Sequence, residues 1–337
     1  MKAKQILALA LISLILVITS GCVSSESFDS IILDSSEDSQ QEPNADVIAN
    51  GSLVEVSLPE PPLPTIDQSI LTVHFIDVGQ GDSILIQIKD KNMLIDAGEQ
   101  KAGNTVVNYL KDNGVTELDV IVATHAHADH IGGMVTVLNN FKVKKFVDSG
   151  NPHTTKTYEN MLIAIDEKDI PFSLAEAGQT IELDPSLAIE ILNPEKPTGK
   201  LNDDSVVLKL TYGDLSFLFT GDTEIDAEKR ILASGIDIES QILKVAHHGS
   251  KSSTSIEFLE KVNPAASIIM VGTDNRYGHP TEEVIARLRG LGSDIYRTDI
   301  EGHIVVKTDG KEYTVETQNK GLVFPMNAMN FSLMAEA

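Results

Sequence analysis

The chain has 337 residues, 50 acidic against 26 basic, and a formal net charge of -24. Taking away the ten acids of residues 23–69 and the two lysines before them leaves -16 for residues 70–337. So acidic a body repels a polyanion at long range, which argues against a broad basic surface that binds by neutralising phosphates. Cys22 is the one cysteine, so no disulfide can form within one molecule.

Lys2 and Lys4 open the chain, an apolar run follows from Ile6 to Ile18, and Thr19-Ser20-Gly21-Cys22 closes the segment. A charged start, a short apolar run and small residues before a cysteine form the pattern of a lipoprotein export signal. The run falls short of the roughly 20 residues that span a bilayer. Residues 1–22 are therefore expected to be a signal, with the rest of the chain outside the cytoplasmic membrane. A lipid on Cys22, or an uncleaved signal anchor, would hold it there. Residues 23–69 carry no Lys or Arg and end in Ser57-Leu58-Pro59-Glu60-Pro61-Pro62-Leu63-Pro64. Four prolines in eight residues remove backbone donors, and so polar a stretch cannot bury enough to offset its ordering entropy. It is expected to be a disordered tether.

From residue 70 the pattern changes. Apolar, β-branched runs predict strands at Leu71 to Ile76, Ile84 to Ile88, Met93 to Ile95 and Val120 to Ala123, with a helix at Thr105 to Asp112. Further strands are expected near Leu187 to Leu192, Val206 to Leu210, Ser216 to Phe219, Ile242 to Ala246 and Ser267 to Val271. Helices are expected near Ile225 to Ala233, Ile256 to Val262 and Thr281 to Leu288. Two short strands, Ile304 to Lys307 and Tyr313 to Glu316, close a domain over 70–318. The tail, 319–337, shows no clear period. Two strand-rich halves with interleaved helices suit two packed sheets covered by helices.

His125-Ala126-His127-Ala128-Asp129-His130 packs three imidazoles and a carboxylate into six residues. All four are good ligands for zinc, manganese or iron. His125 and His127 follow a strand two residues apart and share a direction. Asp129 and His130 fall where the next helix opens, so the two pairs can face two adjacent metals. Asp222 follows Leu218-Phe219-Thr220-Gly221 at a strand end. His247 and His248 are adjacent after a strand, so one is expected to be a ligand and the other a substrate group; His247 is taken as the ligand and His248 as catalytic. His279, in Tyr277-Gly278-His279-Pro280, is a candidate general acid or phosphate contact, or else a packing residue ahead of a helix. Asp77 and Asp82 flank Gly79 and Gly81, which permit close backbone approach. Asp96 is expected to accept a hydrogen bond from a ligand, and Asp77 and Asp82 are placed in the same outer layer.

These strings resemble the metallo-β-lactamase fold: HxHxDH at His125 to His130, a first motif at Leu94-Ile95-Asp96-Ala97-Gly98, Phe219-Thr220-Gly221-Asp222, and His247-His248-Gly249-Ser250. The resemblance runs from about 70 to 316. It implies an αββα sandwich, two divalent ions (zinc or manganese), His125 and His127 on the first, Asp129 and His130 on the second, and Asp222 bridging them. Asp129 and Asp222 would thereby belong to the catalytic set. Phe75-Ile76-Asp77-Val78-Gly79-Gln80-Gly81-Asp82-Ser83, Asn275-Arg276-Tyr277-Gly278-His279-Pro280 and Arg297-Thr298-Asp299-Ile300-Glu301-Gly302 narrow it to the ComEC-type competence hydrolases. That implies a nuclease acting on a phosphodiester such as single-stranded DNA. Relatives include phosphorylcholine esterases, so a small phosphoester is the alternative substrate. The β-lactamase members carry one more His between the HxHxDH and Asp motifs. Here that place holds Leu201-Asn202-Asp203-Asp204-Ser205, with Asn202, Asp203 and Ser205 as substrate contacts or a weak third ligand. This departure disfavours β-lactam hydrolysis. The complete set of motifs disfavours a non-catalytic binding module.

Overall fold

The computed structural model describes residues 69–273 and 275–323. The signal, Cys22, almost all of the tether and the chain beyond 323 lie outside the described residues. Short apolar runs become strands. The first half supplies β1 (Leu71–Phe75), β2 (Ile84–Ile88), β3 (Lys91–Ile95), β4 (Glu117–Leu118), β5 (Val120–Ala123), β6 (Lys142–Val143), β7 (Phe146–Asp148) and β8 (Phe172–Leu174). The second supplies β9 (Ala188–Asn193), β10 (Val207–Tyr212), β11 (Leu215–Phe219), β12 (Ile242–Lys244), β13 (Ala266–Ile269), β14 (Asp294–Arg297), β15 (Ile304–Thr308), β16 (Tyr313–Thr317) and β17 (Gly321–Val323).

Nine strands form one sheet, in the order β17-β16-β15-β1-β2-β3-β5-β7-β8, and six form a second, β14-β13-β12-β11-β10-β9. Each sheet begins with antiparallel hairpins and ends in parallel strands: β3, β5, β7 and β8 in the first, β11 to β14 in the second. Parallel strands need crossovers, and here helices supply them on the outer faces.

Alternation along each strand splits the core into three layers. Val73, Phe75, Ile84, Ile86 and Val122 meet Ile191, Leu208, Phe217 and Phe219 between the sheets. The opposite faces turn outward: Leu85, Leu94 and Ile121 pack on Val106, Leu110, Met134 and Ile165 of the first helical layer. Leu218 and Leu243 pack on Phe258, Leu259, Val284 and Leu288 of the second. This is the αββα sandwich. Each such fully buried side chain contributes about 1.5–3 kcal/mol.

The structure adds elements that the sequence reading passed over. Helices run at Met134–Asn140 and Lys156–Glu167, and β7, β8 and β14 are new. The expected strand Ile242 to Ala246 stops at Lys244, and Ala246–Gly249 forms a tight 3-10 turn. β17 pairs with β16, Val315 opposite Val323, so the sheet reaches into the stretch read as tail. Among the described residues no helix is long and apolar enough to cross a membrane.

Candidate metal centre

The chemistry-bearing residues sit just past the carboxyl ends of the parallel strands, where an open α/β sheet leaves a crevice. Asp96 follows β3, Thr124 and His125 follow β5, Asp222 follows β11, and the His247-His248 turn follows β12. Two glycines let these ends converge. A Cβ on Gly81 would lie 2.0 Å from the Asp129 carbonyl oxygen, where the Asp82 N–H donates to that same oxygen at 3.2 Å. Gly221 has φ +51°, and a Cβ there would press on Ser205 and Thr124 at 2.9 and 3.2 Å.

Asp129, His130, Asp222 and His248 each present a donor atom within 4.8 Å of the others. His130 Nε2 is 3.2 Å from Asp222 Oδ2. His248 Nε2 is 3.4 Å from Asp129 Oδ2 and 3.5 Å from Asp222 Oδ2. Tetrahedral bonds of 2.0–2.2 Å place ligand atoms about 3.3–3.6 Å apart, so the cluster has the size of a first-row metal site. His130 Nε2, His248 Nε2 and Asp222 Oδ1 are buried with no hydrogen-bond partner, and a cation would satisfy all three. Two imidazoles and two carboxylates form a donor set for zinc, manganese or iron. Residues and group fit.

Electrostatics point the same way. Burial opposes charge on His248, yet Asp222, Asp129 and Asp82 raise it to about 9. Burial likewise opposes charge on His130, and Asp222 and Asp96 overcome it, holding the ring well above its ordinary value. Burial works against ionising Asp222, but the charges of His130 and His248 outweigh it and keep the carboxyl well below the usual range. The cluster thus calls for positive charge, which a divalent ion supplies as it displaces the imidazole protons.

His125 and His127 form a second donor pair. His125 Nε2 and His127 Nδ1 are 2.9 Å apart, and His125 Nε2 lies 3.9 Å from Asp222 Oδ2. Burial, followed by the charge of His130, keeps His125 well below its ordinary value, and burial lowers His127. Both rings are therefore neutral and ready to bind. His125 Nδ1 faces Thr124 Oγ1 at 3.1 Å and Ser205 Oγ at 3.3 Å. A proton held there leaves Nε2 free for an ion. Asp222 Oδ2 faces both sets.

Outer partners aim the ligands. Asp96 accepts from the Thr124 N–H at 2.8 Å, the Thr124 hydroxyl at 2.6 Å and His130 Nδ1 at 2.7 Å. His248 Nδ1 donates to the Met270 carbonyl at 2.8 Å, which turns Nε2 toward Asp222. Asp82 pairs with Lys244 and lies 3.5 Å from His248 Nδ1. Lys244 was missed in the sequence. It is fully buried, donates to the Gly221 carbonyl at 2.9 Å and stands 3.8 Å from Asp222 Oδ1. Its signal was a lysine inside the apolar run Ile242-Leu243-Lys244-Val245, where an unpaired charge is costly.

Several expectations are corrected. His248, not His247, joins the four-donor cluster. Both residues have left-handed backbone, φ 48° and 55°, so strand alternation does not govern their rings. His247 is partly exposed and faces Glu224 at 3.2 Å. Asp77 lies in the β1–β2 turn, where its carboxylate accepts the Gly79 N–H at 3.0 Å instead of bracing a ligand. Of the segment 202–205, Ser205 alone meets a ligand ring, on its outward nitrogen, and it accepts the Asp222 N–H at 3.1 Å. Asn202 reaches Glu224 and Asp203 faces Lys200. Burial, then His248 and His247, pushes His279 down to about 4. That shift favours the neutral ring, whose N–H can contact substrate.

A family profile for the metallo-beta-lactamase superfamily matches residues 76–273. The chain is 31% identical over 251 residues to ComE operon protein 3 of Bacillus subtilis, covering 69% of this chain and 32% of that protein. It is 33% identical over 230 residues to competence protein ComA of Neisseria gonorrhoeae, covering 67% and 30%. The chain thus spans about a third of the length of these curated relatives. Among solved structures, the metallo-beta-lactamase fold protein YhfI of Bacillus subtilis aligns with a TM-score of 0.47 at 11% identity, over 71% of this chain and all of that one.

Proposed function

This chain belongs to the metallo-β-lactamase superfamily, and on that premise we propose that it is a metal-dependent phosphodiesterase of nuclease type, related to the competence proteins. The observation that carries the reading is the position of Asp222 Oδ2, 3.2 Å from His130 Nε2, 3.5 Å from His248 Nε2 and 3.9 Å from His125 Nε2. One carboxylate oxygen facing two donor sets suits a pair of divalent ions, zinc or manganese. Such ions, when bound, supply Lewis acidity and bring the pKa of water toward neutrality. The chain's own residues do the positioning. Asp96 and Met270 hold His130 and His248 at fixed tautomers, Lys244 balances the buried carboxylates, and His279 stands at the rim as a neutral hydrogen-bond donor.

The acidic body favours a second reading, a small phosphoester such as phosphorylcholine, because weak polyanion binding is no handicap there. One screen separates the two. The full chain, loaded with manganese or with zinc, is assayed on single-stranded DNA, bis-p-nitrophenyl phosphate and phosphorylcholine esters. Metal-dependent cleavage of DNA supports the nuclease; cleavage of phosphorylcholine esters alone replaces it. We place the enzyme outside the cytoplasmic membrane, attached through lipid on Cys22, on the strength of the Lys2 to Cys22 pattern. An unmodified Cys22 within an uncleaved chain, seen by intact-mass analysis of the native protein, removes the lipid anchor.

A further inference from the structure

The segment Asn275-Arg276-Tyr277-Gly278-His279-Pro280 carries, beside His279, two exposed side chains, Arg276 and Tyr277. The exposed large apolar side chains among the described residues are six aliphatic ones and a single aromatic, Tyr277, which is 57% exposed. Among the described residues its ring meets Arg276 and His279, and it otherwise stands open to solvent. The loop that carries it is pinned. Asn275 Nδ2 donates to the Gly272 carbonyl at 2.9 Å and to the His279 carbonyl at 2.7 Å, and Asn275 Oδ1 accepts the His279 N–H at 3.0 Å.

From Tyr277 a line of rings leads inward. Its centroid is 5.8 Å from that of His279, and His279 is 5.6 Å from His247, tilted by 35° and 31°. His247 Nε2 in turn is 3.9 Å from Asp222 Oδ2. The Arg276 guanidinium lies over the Tyr277 ring, 5.5 Å from its centroid. An exposed aromatic ring on a pinned loop, a guanidinium over one face of it and the candidate metal centre two rings away are the parts of a stacking site for single-stranded nucleic acid, the other face being the one a base would take. The arrangement also answers the charge problem. A body of net -16 gains little from phosphates, and stacking on a π-face holds a strand without a basic groove.

We propose that Tyr277, with Arg276 beside it, is the platform on which a base of single-stranded nucleic acid stacks, presenting a neighbouring phosphodiester to the metal centre. The proposal rests on the phosphodiesterase reading above and specifies its substrate. Tyr277 and Arg276 are specificity residues here; neither touches the reacting atoms.

The chain has no tryptophan, so Tyr277→Trp installs a lone indole at the platform. The full-length variant is titrated in EDTA, where strands stay intact, with oligothymidylate and with an abasic strand of equal length. Oligothymidylate is expected to quench the indole and the abasic strand to leave it bright. Fluorescence anisotropy with labelled oligothymidylate should show Kd raised about tenfold in Tyr277→Ala and retained in Tyr277→Phe. Absent quenching, equal quenching by the abasic strand, or an unchanged Kd in Tyr277→Ala overturns the platform. Cleavage of both strands by the unaltered chain with manganese tests the phosphodiesterase reading separately. Base-dependent quenching without any cleavage keeps the platform and removes that reading.

Discussion

The two donor sets of the metal centre share Asp222 and little else. The four-donor cluster of Asp129, His130, Asp222 and His248 is buried except at Asp129, which is partly exposed, and carboxylates hold its two imidazoles charged. The His125–His127 pair offers two neutral nitrogens, has Ser205 behind it, and borrows Asp222 at 3.9 Å. The difference lies in where the negative charge sits. Three buried carboxylates, Asp82, Asp96 and Asp222, and the partly exposed Asp129 lie in or against the first set, and Lys244 pairs with Asp82. The first set gathers four donor atoms within 4.8 Å of one another, whereas the second offers two nitrogens beside Asp222.

The largest effect should come from the shared residue. Asp222→Asn is expected to lower hydrolysis about a thousandfold, or about 4 kcal/mol, and to empty both positions. Metal content by mass spectrometry alongside activity checks this. A variant that keeps two ions would mean that Asp222 bridges nothing.

Next is the buried lysine. Lys244→Met takes from buried Asp82 its nearest cationic partner, which should cost about 3–5 kcal/mol in urea unfolding. Adding Asp82→Asn should recover most of the loss. A loss below about 1 kcal/mol in the single variant would show that Lys244 is no counter-charge.

The adjacent histidines sharpen the contrast further. His248→Ala should weaken the tighter ion by more than the 10–100-fold typical of an outer partner, while His247→Ala leaves it unchanged. Competition with a chromogenic chelator measures both, and equal losses would return His247 to the ligand set.

The smallest effect is a pH dependence. His248, at about 9, and His130, held well above its ordinary value, must both release a proton to bind, so the affinity of the four-donor position should climb with pH through about 9. The slope is about tenfold per unit for each proton displaced. His125 and His127, kept neutral by burial, should give the other position a flat profile above pH 7. Parallel profiles for the two ions would erase the asymmetry.

How much of this was legible follows from chain distance. His125 to His130 could be read because all four donors and their strand lie within about a dozen residues. Strands Ile84–Ile88 and Val120–Ala123 and helices Ile225–Ala233 and Ile256–Val262 fall where apolar pattern puts them. The helix Lys156–Glu167 was also within reach. Tyr158, Met161, Leu162 and Ile165 are its buried side and keep helical spacing, with Thr155 as its cap. β7 and β8, at three residues each, are too short to show a two-residue period.

What the sequence by itself determined is the inventory: an αββα order of elements, a metal-binding string, and the strand ends that carry Asp96, Asp222 and the His-His pair. Local pattern suffices there because burial acts on neighbouring residues. The tertiary structure alone decided the assignments. His247 and His248 look alike in sequence, and a left-handed turn with a bond to Met270 separates them. Asp77 and Asp82 flank the same glycines, and contacts with Lys244 and His248, both from the other half of the chain, tell them apart. β1 pairs with β15, Leu71 opposite Thr308, across most of the described chain. Such contacts depend on which buried charges and edges meet once the sheets have packed, and no window of sequence contains both partners.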